Sequence, residues 1–126
     1  MKLTLCPCGS PQNYADCCAL YIEQGVLPPT AEALMRSRYT AYTRLNEDYL
    51  LATWHASTRP SALGLAQELQ TRWIGLQVKR YESTHEQAVV EFVARYKLNG
   101  KAHRLHEVSQ FVCADGRWFY VDGEVA

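Results

Sequence analysis

The chain has 126 residues, 48% of them hydrophobic, and its thirteen basic and thirteen acidic side chains cancel to a formal charge of zero. That length builds one compact core, with no room for a second full domain. The charge balance leaves no global field to draw the protein onto nucleic acid or anionic lipid, and no apolar run is long enough to cross a bilayer.

The first element is a cysteine cluster. Four of the five cysteines lie within the first 18 residues, as Cys6-Pro7-Cys8-Gly9-Ser10 and then, after the loop from Gly9 through Asp16, Cys17-Cys18. Two thiolate pairs on a short loop bearing Gly9, Pro11 and Asn13 can close around one ion, and zinc favours four-coordinate tetrahedral thiolate sites. Disulfides are the competing reading, and they persist only in oxidising compartments. Met1 to Leu5 is too short for a secretory apolar region, so a cytoplasmic location is expected. Local pairing of Cys6 with Cys8 or of Cys17 with Cys18 needs strained rings, and crossed pairing stacks two bonds within a few residues. Iron–sulfur ligands are usually spaced by two or more residues, which fits an adjacent pair poorly, although four thiolates alone do not distinguish the metals.

Zinc held by Cys6, Cys8, Cys17 and Cys18 has no open coordination position, so the expected site is structural and its binding energy is local folding energy. Gly9 can adopt the turn that lets backbone N–H groups reach the sulfurs. Cys113 sits in a predicted strand and reads as a small buried apolar residue.

Ala19 to Gln24 continues from the knuckle as a short helix that Gly25 ends, and Leu27-Pro28-Pro29 is a stiff linker. Residues 1–24 are therefore read as a metal-binding motif and 25–126 as the main domain. Thr30 is an N-cap, Glu32 lies in the first turn, and Leu34, Arg38, Ala41, Tyr42 and Leu45 recur at helical spacing, with Met35 and Tyr39 widening that face. Asn46 caps a second helix that runs to Trp54, with His55 at its end as a terminal cap. Ser57 to Ser61 reads as a loop, and a third helix is expected over Ser61 to Gln70. From Trp73 the period changes to alternation, over Trp73 to Tyr81 and Gln87 to Leu98. Asn99-Gly100 and Asp115-Gly116 are two-residue hairpin turns. Helices followed by an antiparallel meander give an α+β fold.

The string Cys6-Pro7-Cys8-Gly9-Ser10 through Tyr14 to Cys17-Cys18 resembles the SEC-C motif, the zinc-binding module also found at the end of the SecA translocation ATPase. Ala31 to Tyr39, Tyr49 to His55 and His106 to Phe111 are similar to the YchJ family. The resemblance implies a SEC-C motif joined to a nuclear transport factor 2-like domain, a cone in which a curved sheet wraps helices around a pocket. It names an architecture rather than an activity. In SecA the module's loop is rich in lysine and docks SecB. Here Ser10 to Asp16 carries no base, so zinc binding carries over and SecB docking does not.

Two-residue turns set a register in which Tyr96 opposes His103, Phe92 opposes Glu107, Phe111 opposes Tyr120 and Cys113 opposes Trp118. The face expected to be concave is then apolar, with His103, Glu107, Ser109 and Asp122 embedded in it. A carboxylate such as Glu107 on that face requires a partner, and Arg38 is the candidate. The preferred reading is a structural ion pair. The sharper one is a pocket in which Arg38, Tyr42, Trp54, His103 and Glu107 surround a small ligand, with Glu107 as a base.

No nucleophile motif, phosphate-cradling loop or spaced carboxylate pair marks a catalytic residue. The first functional expectation is a protein-interaction module presenting Pro11, Tyr14, Leu20 and Tyr21 from a closed zinc knuckle. The alternative is a small-molecule binder or enzyme using the cone, and a nucleic-acid or ribosome-associated role ranks last. Neither membrane nor nucleic acid is an expected partner.

Overall fold

The computed structural model describes residues 5–65 and 71–126. A 3-10 turn at Tyr14–Asp16 leads into α1 (Cys18–Ile22), followed by α2 (Ala31–Thr43), α3 (Glu47–Ala52) and four strands, β1 (Thr71–Ser83), β2 (Gln87–Leu98), β3 (Lys101–Ala114) and β4 (Arg117–Val125). No helix among the described residues is long and apolar enough to cross a membrane.

The helix starts follow the cap chemistry. Thr30 Oγ1 accepts the Ala33 N–H at 3.0 Å, and Asn46 Oδ1 accepts the Tyr49 N–H at 3.1 Å, each satisfying an orphan donor of the first turn. Between α2 and α3 the chain turns at Leu45, held at φ 55°. The helix expected from Ser61 does not begin there: residues 61–64 are non-helical and Gly64 sits at φ 68°. Its remaining stretch, 66–70, lies outside the described residues. His55 does not cap α3. Its Nδ1 lies 2.7 Å from Ser57 Oγ and accepts the Ser57 N–H at 3.1 Å, because that turn of its own supplies the nearest donors.

The strands form one antiparallel sheet in the order β1-β2-β3-β4. Asn99 and Gly100, then Asp115 and Gly116, all take positive φ, the condition for a type I′ hairpin turn. Phe92 accordingly faces Glu107, Tyr96 faces His103, Phe111 faces Tyr120 and Cys113 faces Trp118. Irregularities at Trp73/Gly75 and Val78/Arg80 add residues to β1, and such bulges bend a strand around what it covers.

A further bulge corrects the expected inner face. Phe111 pairs with Tyr120 but Gln110 pairs with Asp122, so Val121 is the extra residue. Asp122 therefore shifts to the outer face beside exposed Gln110, and Gly123 takes the inner position opposite Ser109.

The main core joins Leu34, Met35 and Tyr39 of α2 to Val90, Phe92, Ala94, Phe111 and Trp118 of the sheet, and it also contains Cys6, Cys8 and Cys18. A smaller cluster packs Ala41, Leu50 and Leu65 behind α2. The end of α3 is stitched to β4, with the His55 N–H donating to Tyr120 O at 2.7 Å and the Tyr120 N–H donating to Thr53 O at 2.9 Å. Phe111 is 2% exposed at the centre of this core. Phe111→Ala is expected to lower unfolding stability by about 3–5 kcal/mol in urea titration, at unchanged m-value.

Candidate functional site

The amino-terminal cysteines are brought together by local backbone bonds. Leu5 bridges to Asn13, the Cys6 N–H donates to Gln12 O at 3.0 Å, and the Gly9 N–H donates to Cys6 O at 3.2 Å with Gly9 at φ 86°. The 3-10 turn then delivers Cys17 and Cys18 to the same point. The Sγ atoms of Cys6, Cys8, Cys17 and Cys18 all lie within 4.8 Å of one another, and those of Cys8 and Cys17 are 3.7 Å apart. A tetrahedral site with metal–sulfur bonds of about 2.3 Å has sulfur–sulfur edges of about 3.8 Å, so the spacing fits one ion. All five cysteines are free thiols.

The donor set behaves as a metal site should. The Cys8 thiol is held down to about 4, first by a hydrogen bond from Cys18, and that same bond leads the causes that push Cys18 far up. Cys17 is also raised, first by burial. Four sulfurs this close share one negative charge easily and four only around a cation. Hydroxyls surround them: Ser10 Oγ lies 3.2 Å from Cys17 Sγ, and Thr40 Oγ1 donates to Cys18 Sγ at 3.3 Å and lies 3.8 Å from Cys6 Sγ. Such outer contacts orient ligands and spread thiolate charge.

The cluster is wedged into the domain. Cys6, Cys8 and Cys18 are buried, Arg36 Nη1 of α2 donates to Cys8 O at 2.8 Å, and a Cβ on Gly9 would come within 3.1 Å of Leu76 O of β1. Of the four residues expected to be presented outward, only Pro11 is exposed. Leu20 and Tyr21 are half-buried, and Tyr14 lies under the Arg44 guanidinium, 3.8 Å from its ring centre.

The second site is a cavity of about 280 Å³ between α2 and the sheet. Arg38, Tyr42 and Glu107 line it, as the residue pattern anticipates; Trp54 and His103 do not. Trp54 packs edge-on against Tyr120 at 4.8 Å and supports the cavity from behind. His103 is exposed and stacks on Tyr96 at 5.2 Å, because the first residues of the long β3 run out beyond the covering helix. Two contributors escaped the sequence reading. Trp73 joins the lining through the bulge that follows it, and Gly123 enters the inner face only through the bulge in β4.

The expected Arg38–Glu107 ion pair is not formed: among the described residues no carboxylate lies within 4.0 Å of the Arg38 guanidinium. Arg38 Nη1 instead donates to Leu50 O at 2.8 Å and Thr53 Oγ1 at 2.7 Å, and the guanidinium lies 4.4 Å from the Tyr120 ring centre. The carbonyl end of α3 and an aromatic face supply the negative potential that holds the guanidinium. Burial pulls Arg38 down to about 10, which leaves it protonated at neutral pH. Glu107 Oε2 accepts the Ser109 hydroxyl at 2.7 Å.

Comparison with known proteins reproduces this architecture. Residues 30–123 match the family described as YchJ, middle NTF2-like domain, and residues 4–20 match the SEC-C motif. A UPF0225 protein of Chromobacterium violaceum is 56% identical over 126 residues, spanning 96% of this chain and 93% of that protein. The solution structure of a SEC-C motif containing protein from Rhodopseudomonas palustris superposes with a TM-score of 0.88 at 34% identity, covering 96% of this chain and 98% of that one. A crystal structure of a SEC-C motif containing protein from Psychrobacter arcticus gives 0.76 at 28% identity, covering 96% and 82%. With a YchJ-type α+β domain over most of its length and a SEC-C cysteine cluster packed against it, the chain belongs to the YchJ family.

Proposed function

We propose that the cone is a binding site for a small organic ligand and that Cys6, Cys8, Cys17 and Cys18 hold a structural zinc ion. The observation that carries the first part is a buried, protonated Arg38 on the wall of an open cavity, with no carboxylate of the described residues in ion-pair contact with it. A buried charge left without an ion-pair partner is costly, and proteins keep such charges where a ligand uses them. The reading that ranked first from the residues, an adaptor built on the knuckle, has less support, because three of its four expected contact residues, Tyr14, Leu20 and Tyr21, are half-buried. Four thiolates fill the zinc sphere, so the metal supplies no open position for chemistry and serves to fasten the knuckle to α2.

Elemental analysis of purified protein is expected to give one zinc per chain. Cys8→Ser is expected to lose it, with a fall in melting temperature on the order of 10 °C. Visible absorption from an iron–sulfur chromophore, or full stability without metal, would overturn the zinc assignment. A metabolite screen by thermal denaturation is expected to find a ligand that stabilises the protein by about 2.7 kcal/mol at a hundred times its Kd. Ala94→Leu fills the cavity and should abolish that shift. A shift that survives the substitution places the ligand elsewhere.

A second reading keeps the adaptor role, moved from the knuckle's face to its flanks. Leu5, Val26 and Leu27, which flank it in the sequence, are 61%, 48% and 52% exposed. A partner that copurifies with the wild type and is lost from the Val26→Ser, Leu27→Ser double variant would support this reading. Unchanged copurification would remove it.

A further inference from the structure

Arg38 and Glu107 line opposite walls of one cavity, the first on α2 and the second on β3, and no ion pair within 4.0 Å joins them. Arg38 makes its hydrogen bonds through Nη1 alone, so Nε and Nη2 have donors to spare among the described residues. They are not buried without access to solvent either, since among the described residues the fully buried side-chain N and O atoms lacking a partner are Asn13 Oδ1 and Tyr14 Oη. The free edge of the guanidinium therefore opens on the cavity that the side chain lines. Glu107 mirrors it: Oε2 is taken by Ser109, and Oε1 accepts nothing among the described residues.

Opposite charges sharing a low-dielectric cavity close on each other unless something holds them apart. Both are held. Arg38 is fixed by Leu50 O, Thr53 Oγ1 and the Tyr120 ring. Glu107 is fixed by Ser109 and by lying across β4, where a Cβ at Gly123 would fall on its carboxyl group, 2.7 Å from Cδ. The gap between them is thus built, with unused donors on one side, an unused acceptor on the other and apolar rings of Trp73, Phe92 and Phe111 around it.

The complement of such a gap is a molecule with an anionic acceptor, a hydrogen-bond donor close to it and an apolar body. We propose that the cone binds a small 2-amino or 2-hydroxy carboxylic acid with an apolar side chain, its carboxylate on Arg38 and its amino or hydroxyl group on Glu107. The assignment rests on the cone being a ligand site. A phosphate dianion is disfavoured because Glu107 repels it and Arg38 is the one cation among the described residues of the wall. A simple amine is disfavoured by Arg38. The cavity equals the share of roughly nine waters at about 30 Å³ each, which suits a molecule the size of an amino acid. Planar, bidentate capture of a carboxylate is what an arginine edge offers and a lysine does not.

Calorimetric titration of the full-length, metal-loaded protein with four related probes tests this: phenylalanine, 3-phenyllactate, 3-phenylpropionate and 2-phenylethylamine. Phenylalanine and phenyllactate are expected to bind, phenylpropionate about tenfold more weakly for want of the donor, and phenylethylamine not measurably. Glu107→Gln keeps the Ser109 contact but removes the charge, and should shrink the gap between phenylalanine and phenylpropionate to about twofold. Gly123→Ala, which keeps both charges and displaces the carboxylate, should narrow it likewise. Arg38→Lys should weaken every acid by tenfold or more; should that variant fail to fold, the other two carry the test. Equal binding of phenylpropionate and phenylalanine, preference for the amine, or silence from all four probes overturns the ligand class. Silence from the four alongside another compound whose shift Ala94→Leu abolishes leaves the cone as a ligand site; absence of any such compound removes both readings.

Discussion

The structure depends on α2 being buried on three sides at once. The sheet covers Leu34 and Met35, α3 and Leu65 cover Ala41, and the cysteine cluster meets Thr40. A helix so enclosed cannot leave a polar group unsatisfied, and Ser37, Arg38 and Thr40 are all buried. Ser37 Oγ donates to Leu34 O at 2.8 Å and meets the Tyr49 hydroxyl at 2.7 Å, Arg38 reaches Leu50 and Thr53, and Thr40 reaches Cys18. Each polar side chain of the buried face is thereby a tie to a different neighbour.

Those ties divide the molecule's labour. The cysteine cluster and the cavity flank the same helix, yet their chemistries do not overlap. Four sulfurs around one ion would fill its coordination sphere and add rigidity. The cavity keeps one cation and one carboxylate apart against their attraction, an arrangement with no stability rationale of its own. The contacts of the cysteine cluster at Arg36 and Thr40 fall on either side of Arg38, so the same stretch of α2 is constrained where it carries the buried charge.

Much of this was legible in the residues. Thr30 and Asn46 announce helix starts because their side chains cap without tertiary help, and Asn99-Gly100 and Asp115-Gly116 set strand register because few residues accept positive φ twice in succession. Helical spacing puts Arg38 and Tyr42 on one face, the hairpin register puts Glu107 on the inner face, and the family resemblance supplies the pocket between them. The failures share a cause. His103 was assigned to the cavity because alternation marks a face and not where the covering helix stops. Asp122 was put inside because a bulge leaves no local sign and reverses every residue beyond it. The Arg38–Glu107 pair follows from charge alone, but in the fold the guanidinium is taken by Leu50 O, Thr53 Oγ1 and the Tyr120 ring.

What the sequence by itself determined is whatever rests on short-range chemistry: the thiolate set, the caps, the turns, the alternation and hence the α+β class. Tertiary structure decided what depends on how elements meet. It buried Cys6, Cys8 and Cys18 against the domain, moved Gly123 under Glu107 and left Arg38 facing a cavity with no carboxylate of the described residues paired to it. Packing makes those choices because a long charged side chain takes the nearest satisfying partner in three dimensions, and no local pattern records which one that is.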